Sequence, residues 1–339
     1  MEQKGGKGMT TILTWLNRAV VFGAIIMFGS MGETLTEKSG NMNLGTPGVM
    51  CVGGACGFVG SYLYELSTDN PNKMICVLLA LVCSFAGGVL CGLLFSVLTV
   101  SLKANQNVTG LALTIFGSGL ARFLGMLVIP TGSTTVKAYS TNSIFSMKLP
   151  LASSTGVFGT IFLNYGFMLY LSIVIAVILS LFLNRTRAGL SLRAVGENPA
   201  TADAAGINVT KYKYLATCIG SGIAALGGVY YIMDYNYGGW STYAAQSIEA
   251  LGWLSVALVI FAAWKPLNLL WGAFIFGVFY WFYNYVSAFG WEITSAMSSL
   301  LEAIPYVVTI IVLLISSIRK SRDGQGPASL GLTYFREDR

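Results

Sequence analysis

Met74-Ile-Cys-Val-Leu-Leu-Ala-Leu-Val-Cys-Ser-Phe-Ala-Gly-Gly-Val-Leu-Cys-Gly-Leu-Leu-Phe-Ser-Val-Leu-Thr-Val100 runs without a charged side chain. A helix needs roughly 20 apolar residues to cross the hydrocarbon core of a bilayer. The stretch is therefore long enough for one tilted span, or for a span plus a short extra piece. Outward from it, further apolar runs lie near 12–32, 45–64, 108–128, 165–184, 213–232, 247–264, 267–289 and 299–318. Together they predict about nine spans, within a range of roughly eight to ten. Composition agrees, because only 10% of the 339 residues are charged and 55% are apolar. Mean hydropathy is +0.68, whereas a soluble domain carries about 25% charged residues. The expected fold is an all-α polytopic membrane helical bundle. It forms a single domain over 1–320, with a polar link at 185–212 and a tail at 321–339.

Composition also excludes chemistry. The chain has no histidine, so Ser-His-Asp triads and His-ligated metals are absent. No G-x-x-x-x-G-K-[ST] run offers a phosphate loop. The six cysteines lie in apolar stretches without CxxC spacing and read as small buried hydrophobes. A net charge of +6 reads as loop bias and not as a nucleic-acid footprint, since no basic patch is interleaved with stacking aromatics. The basic, then apolar N-terminus lacks a small-residue cleavage site and reads as a first span.

Basic residues set the orientation. Arg185, Arg187, Arg193, Lys211 and Lys213 crowd the 185–213 link, and Arg319, Lys320 and Arg322 open the tail, whereas 233–246 and 290–298 contain no Lys or Arg. Link and C-terminus are thus expected in the cytoplasm. Nine spans then put the N-terminus outside, against the pull of Lys4, Lys7 and Arg18. The long Ser/Thr-rich segment 129–164 is expected outside with a short interfacial helix. Asn107, Asn184 and Asn208 head glycosylation triplets by chance, given their places at span ends or inside.

Thr114-Ile-Phe-Gly-Ser-Gly-Leu-Ala-Arg-Phe-Leu-Gly125 echoes Thr217-Cys-Ile-Gly-Ser-Gly-Ile-Ala-Ala-Leu-Gly-Gly228. Small residues at this spacing let helix backbones approach closely. The likeness is either the commonness of Gly, Ala and Ser in spans or the trace of two pseudo-related halves with a path between them.

Three segments carry candidate chemistry. In 33–48, Gly40, Gly45, Gly48 and Pro47 are expected to break helical continuity. Thr36, Ser39, Asn41 and Asn43, with Glu33 and Glu37, then either line a wet cavity or belong to an ordinary solvated loop. In 185–208, Asn198 is a good N-cap, Pro199 suits the first helical position and Gly206 suits the C-terminal cap. Alanines at 200, 202, 204 and 205 give a short helix with a smooth face, suited to seating in a partner's groove. The third segment is aromatic: Tyr230, Tyr231, Tyr235, Tyr237, Trp240, Tyr243 and Trp253, then Trp264, Trp271, Tyr280, Trp281, Tyr283 and Tyr285. Most are expected as interfacial anchors, with a minority, Trp253 among them, available to stack on a sugar or base.

Thr36-Glu-Lys-Ser-Gly-x-x-Asn-Leu-Gly-x-x-Gly48, Asn107-Val-Thr-Gly-Leu-Ala-Leu113, Arg193-Ala-Val-Gly-Glu-Asn-Pro-Ala-Thr-Ala-Asp-Ala-Ala-Gly-Ile-Asn208 and Val259-Ile-Phe-Ala-Ala-Trp-Lys-Pro-Leu267 resemble permeases of the branched-chain amino acid/ribose/nucleoside class of ABC importers. The likeness spans most of 30–310 and is nearest to simple-sugar/nucleoside permeases. Pro47 departs from it, since an acidic residue usually stands there. The resemblance implies a non-catalytic permease subunit in a bacterial inner or plasma membrane, forming half of a path for a nucleoside or simple sugar. Its implied partners are a second homologous permease, an ATP-binding subunit carrying ATP and Mg, and an extracytoplasmic substrate-binding lipoprotein; nucleic acid is not among them. Arg193, Glu197, Asn198, Pro199, Asp203 and Gly206 then belong to the ATPase coupling segment. The rival reading is a stand-alone secondary transporter of a small neutral solute, with Glu33, Glu37, Arg122 and Glu302 as the charged residues near spans. A membrane enzyme is disfavoured by the missing histidine and by the lack of paired intramembrane acids other than Glu33/Glu37.

Overall fold

The computed structural model describes residues 2–148, 159, 162–286, 294–304, 306–308, 310–311, 314 and 326–335. The apolar runs fold as the helices α1 (Glu2–Glu37), α2 (Thr46–Ser67), α3 (Lys73–Ser96) and α4 (Gln106–Val128). Beyond the 129–164 segment come α6 (Phe167–Arg185), α9 (Val209–Tyr230), α10 (Ala244–Phe261) and α11 (Pro266–Val286). Among the described residues, seven helices are long and apolar enough to cross a membrane, and α11 contributes a shorter apolar stretch, Pro266–Phe282. The expected 299–318 span overlaps the short α12 (Ser295–Glu302), and its later described residues, 304, 306–308, 310–311 and 314, are helical; the basic cluster 319–322 lies outside the described residues.

The run at 74–100 is one continuous helix. After Ser96 its winding loosens into a π turn over Val97–Ser101, so no separate extra piece exists. A second π turn, Tyr231–Tyr235, extends α9. The 129–164 segment holds a short helix, α5 (Tyr139–Phe145), as expected, and also β1 (Thr135–Lys137). This strand pairs antiparallel with β2 (Gly239–Ser241), matching Val136 to Trp240. Such a small ribbon left no signal in an otherwise all-α pattern.

The bundle is built on α9, the most buried span, which packs against α1, α2 and α3. Its crossings are close because glycines meet backbone. A Cβ at Gly220 would run into Gly32 O and Thr36 Oγ1, and one at Gly228 into the backbone of Met50 and Gly54. Gly117 of α4 lies equally tight on Gly48 of α2. Without a hydrophobic drive between helices in lipid, such backbone-to-backbone packing is what holds spans together. Both echo runs therefore serve as packing faces on α2. Outward, Leu78, Val82 and Leu90 of α3, Ile115 and Phe123 of α4, and Ile178 and Leu181 of α6 remain exposed, the apolar surface a bilayer covers.

The connections gather at two ends. At one end the 38–45 loop, Lys103, the 186–208 link, the 262–265 turn and the 326–335 tail touch one another. Gly331 N donates to Gly40 O at 3.2 Å, Ser329 N to Gly196 O at 3.1 Å, and Trp264 Nε1 to Glu37. At the other end Glu65 accepts from Thr141 N at 2.7 Å, Ala138 N donates to Gly238 O at 2.9 Å, and Arg18 donates to the Tyr237 hydroxyl. The start of α1 thus lies opposite the 185–212 link, as an odd number of spans requires.

The aromatics divide differently from the expectation. Tyr237, Tyr243 and Trp271 are exposed, but Tyr230 and Trp240 are fully buried. Trp240 packs on Phe58 with centroids 5.7 Å apart, in a slot left open by Gly125. Cys51, Cys76 and Cys91 are buried, and all six cysteines are free.

Candidate functional site

Helix α1 does not stop before Glu33; it carries Glu33, Thr36 and Glu37 to its last turn. The chain then breaks at 38–45, with Gly40 at φ +86°. It re-enters helix at Thr46, so Pro47 occupies the first turn of α2 and Gly48 lies inside the helix. Pro at this position lacks only an amide that the helix would not use, and it packs on Gly252 of α10.

Six of the seven expected path residues come together here, each at most 4% exposed. That burial rules out an ordinary solvated loop. Glu33 accepts from the Thr46 hydroxyl and from Asn43 N at 3.2 Å. Asn43 Oδ1 accepts from Gly45 N at 3.0 Å, folding the loop onto itself. Thr36 donates to Gly32 O at 3.1 Å and Ser39 to Thr36 O at 2.6 Å. Asn41 Nδ2 donates to Thr217 Oγ1 at 2.9 Å, while its own Oδ1 has no partner among the described residues. Glu37 is met by the indole N–H of Trp264. Buried carboxylates persist where several donors compensate their lost hydration, and this knot supplies them. Trp253 is not part of it; it sits half-buried on α10, about three helical turns before Trp264.

Other elements fasten the loop from outside. Gln106, at the start of α4, accepts from Met42 N at 2.7 Å and Thr114 donates to Leu44 O at 2.9 Å. The sequence reading missed Gln106, Thr46 and Trp264 as partners of the knot. Trp264 stood in a quoted motif but read as an interfacial anchor, although Ala263 and Trp264 both adopt φ +54° in the turn that aims the indole inward.

The residues expected in the coupling segment fall on or beside α7 (Arg187–Glu197) and α8 (Pro199–Ala204). Asn198 caps α8 by accepting from Thr201 N at 3.0 Å, Pro199 takes the first helical position, and Gly206 closes the turn at φ +83°. Ala200, Ala204, Ala205 and Gly206 are exposed, while Ala202 is buried with Val195 and Val209. The smooth face is therefore free, and its underside is anchored. The sequence reading did not resolve α7, whose Thr186 cap accepts from Gly189 N at 3.0 Å. Arg193 is exposed and donates to Asn184 Oδ1 at 3.2 Å.

The tail ties this link to the knot. Glu197 accepts from Ala328 N at 3.3 Å and Asp203 from the Tyr334 hydroxyl at 2.9 Å. Lys103 lies 5.9 Å from the Tyr334 ring centroid, and Gln106 Nε2 donates to Leu332 O at 3.4 Å. Lys38, next to the knot, has its pKa lowered by burial and by Arg193, with Glu197 and Glu37 opposing.

Comparison with known proteins fits this arrangement. The chain is 30% identical over 269 residues, 78% of its length and 74% of the relative's, to the putative glucose ABC transporter permease protein TsgC13 of Haloferax volcanii. It is 29% identical over 298 residues, 87% of its length and 89% of the relative's, to the nucleoside ABC transporter permease protein NupC of Lactococcus lactis. To the guanosine ABC transporter permease protein NupQ of Bacillus subtilis it is 28% identical over 263 residues, 76% and 78% of the two chains. No solved structure matches the chain. The family model described as branched-chain amino acid transport system / permease component matches residues 15–316. With most of the bundle, the buried knot and the exposed α8 face inside that match, the chain belongs to this family of permease components.

Proposed function

We propose that the chain is the permease subunit of an ATP-driven importer and forms half of the path for a nucleoside. A simple sugar ranks second. The observation that carries this reading is the exposed alanine face of α8, capped at both ends and tied through the tail to the buried loop 38–45. A separate ATPase, hydrolysing Mg-bound ATP, seats on that face, and this end of the bundle is cytoplasmic. Movement of α7 and α8 pulls on Glu197 and Asp203, then through the tail on Gly40 and Gln106. The knot of Glu33, Thr36, Glu37, Ser39, Asn41 and Asn43 closes the path in this conformation and opens when the link moves. The chain itself does no chemistry. A second, related permease supplies the facing wall, and an extracytoplasmic binding lipoprotein delivers the substrate.

The test is to tag the chain near its N-terminus, extract it gently from its native membrane and identify the co-purifying subunits by mass spectrometry. An ATPase and a second permease of similar length support the reading, and uptake of labelled guanosine against glucose then ranks the substrates. A chain that emerges alone where control complexes survive, with uptake abolished by an ionophore, points instead to a secondary transporter.

A further inference from the structure

The seam between α6 and α11 carries two separate recesses. Midway it forms an apolar groove of about 540 Å³, walled by Leu169 and Ile173 of α6, Met27 of α1, and Leu270 and Phe274 of α11. At the end beside the 186–208 link, the same two helices border a polar crevice of about 480 Å³. Lys38, Arg193 and Lys265 line the crevice against one lining carboxylate, Glu197, with Glu37 acting on Lys38 from behind, so positive charge is in excess. Both acidic neighbours also accept from neutral donors, Glu197 from Ala328 N and Glu37 from the Trp264 indole. Lys38 is partly stripped of water here and faces Arg193 and Lys265, which lower its pKa against the opposing pull of Glu197 and Glu37. A bound anion would relieve that strain.

Crevice and groove are separate recesses that follow one another along one face of α6, with the exposed Val177 between them. On α6 the crevice begins at Ser180, seven residues past Ile173 of the groove, or about 10 Å along the axis. On α11 Asn268 of the crevice is followed two residues later by Leu270 of the groove. A charged recess about 10 Å from an apolar trough on the same seam matches a phosphodiester carrying an acyl chain. Basic pockets between spans at a cytoplasmic face are the usual seat of anionic headgroups, and guanidinium and ammonium groups are the usual phosphate donors.

We infer that the α6–α11 seam holds one anionic phospholipid, its phosphate among Lys38, Arg193 and Lys265 and one acyl chain along Ile173 and Leu270. The site needs no ATPase or second permease, so it stands or falls separately from the transport reading; only the choice of leaflet rests on that reading.

The experiment is native mass spectrometry of the full chain, delipidated and titrated with phosphatidylglycerol or phosphatidylcholine. One phosphatidylglycerol should be retained per chain. Lys265→Gln should weaken retention about fivefold, the share of one lysine near a charged headgroup. Ile173→Trp, which fills the groove and leaves every charge in place, should weaken it as well. Equal retention of phosphatidylcholine overturns the assignment, as does wild-type retention by both variants. Displacement of the lipid by inorganic phosphate would leave a free-anion site and overturn the groove's part. Crosslinking from position 173 to a neighbouring subunit in native membranes would show the seam covered by protein, and would equally overturn it.

Discussion

Thr114 and Thr217 grip the same buried loop three residues apart: Thr114 donates to Leu44 O and Thr217 accepts from Asn41 Nδ2, each at 2.9 Å. They are also the first residues of the two echo runs on α4 and α9. The repeated motif thus performs one task twice, with a hydroxyl pinning the 38–45 loop and glycines behind it bringing the helix onto α2.

Thr217→Val removes the acceptor of Asn41, whose Oδ1 already has no partner among the described residues. A buried group left without its hydrogen bond costs about 1–3 kcal/mol. Thermal unfolding of the purified protein should show that loss, and Thr217→Ser should restore most of it.

Gly117 and Gly119 stand two residues apart on opposite faces of α4. A Cβ at Gly117 meets the Gly48 backbone, whereas at Gly119 nothing lies within 4 Å. Gly117→Ala should therefore destabilise by about 1–3 kcal/mol through overpacking. Gly119→Ala should be neutral or stabilise by up to about 1 kcal/mol, since alanine suits a helix better. Equal effects at both positions would contradict the crossing.

Trp264→Phe keeps the ring but removes the N–H that serves Glu37. The buried carboxylate loses its aromatic donor at a cost of about 1–3 kcal/mol. Combining Trp264→Phe with Glu37→Leu should cost less than the sum of the single changes, because neither partner then remains buried and unpaired. A thermodynamic cycle on the four proteins measures that coupling.

Asp203→Arg and Gly206→Trp should abolish ATPase association while leaving the chain inserted. Asp203 also holds Tyr334, so Tyr334→Phe is the control. It removes the tail's hydroxyl, costs about 1 kcal/mol, and leaves α8 itself intact. Normal association in both α8 variants would dismiss the docking assignment.

Asn43→Leu removes the acceptor of Gly45 N and disturbs the amide that serves Glu33. Uptake should fall at least about tenfold, which a change near 1.4 kcal/mol produces, while ATPase association persists. Uptake equal to wild type would separate the knot from the path.

The spans were readable because lipid-facing residues must be apolar, and runs such as 74–100 have no other stable fate in a bilayer. Asn198, Pro199 and Gly206 were readable because capping is local chemistry, decided within three or four residues. The knot was only half readable. Its residues announced themselves as polar groups between two spans, but their burial depends on Thr217, Trp264 and Gly331, far along the chain, and no periodicity encodes such partners. Helix α7 was hidden by its charge and glycines, which gave no apolar run. Tyr230 and Trp240 were misplaced because an aromatic near a span end has the same sequence signature whether it anchors at the headgroups or fills the bundle.

The bond between Glu37 and Trp264 joins residues 227 positions apart, and this gives the knot a history as well as a geometry. Glu33 finds Thr46 and Asn43 as soon as the first two spans turn back on each other. Glu37 must wait for α10 to emerge, roughly 10–45 s later at ordinary rates of translation. For that interval the nascent chain holds Glu37 at the edge of the membrane with only Glu33 and Lys38 beside it, and any chain cut short before residue 264 never gains the indole donor. Such fragments should be recognised by membrane proteases and cleared quickly, whereas a fragment ending just past the turn should last longer.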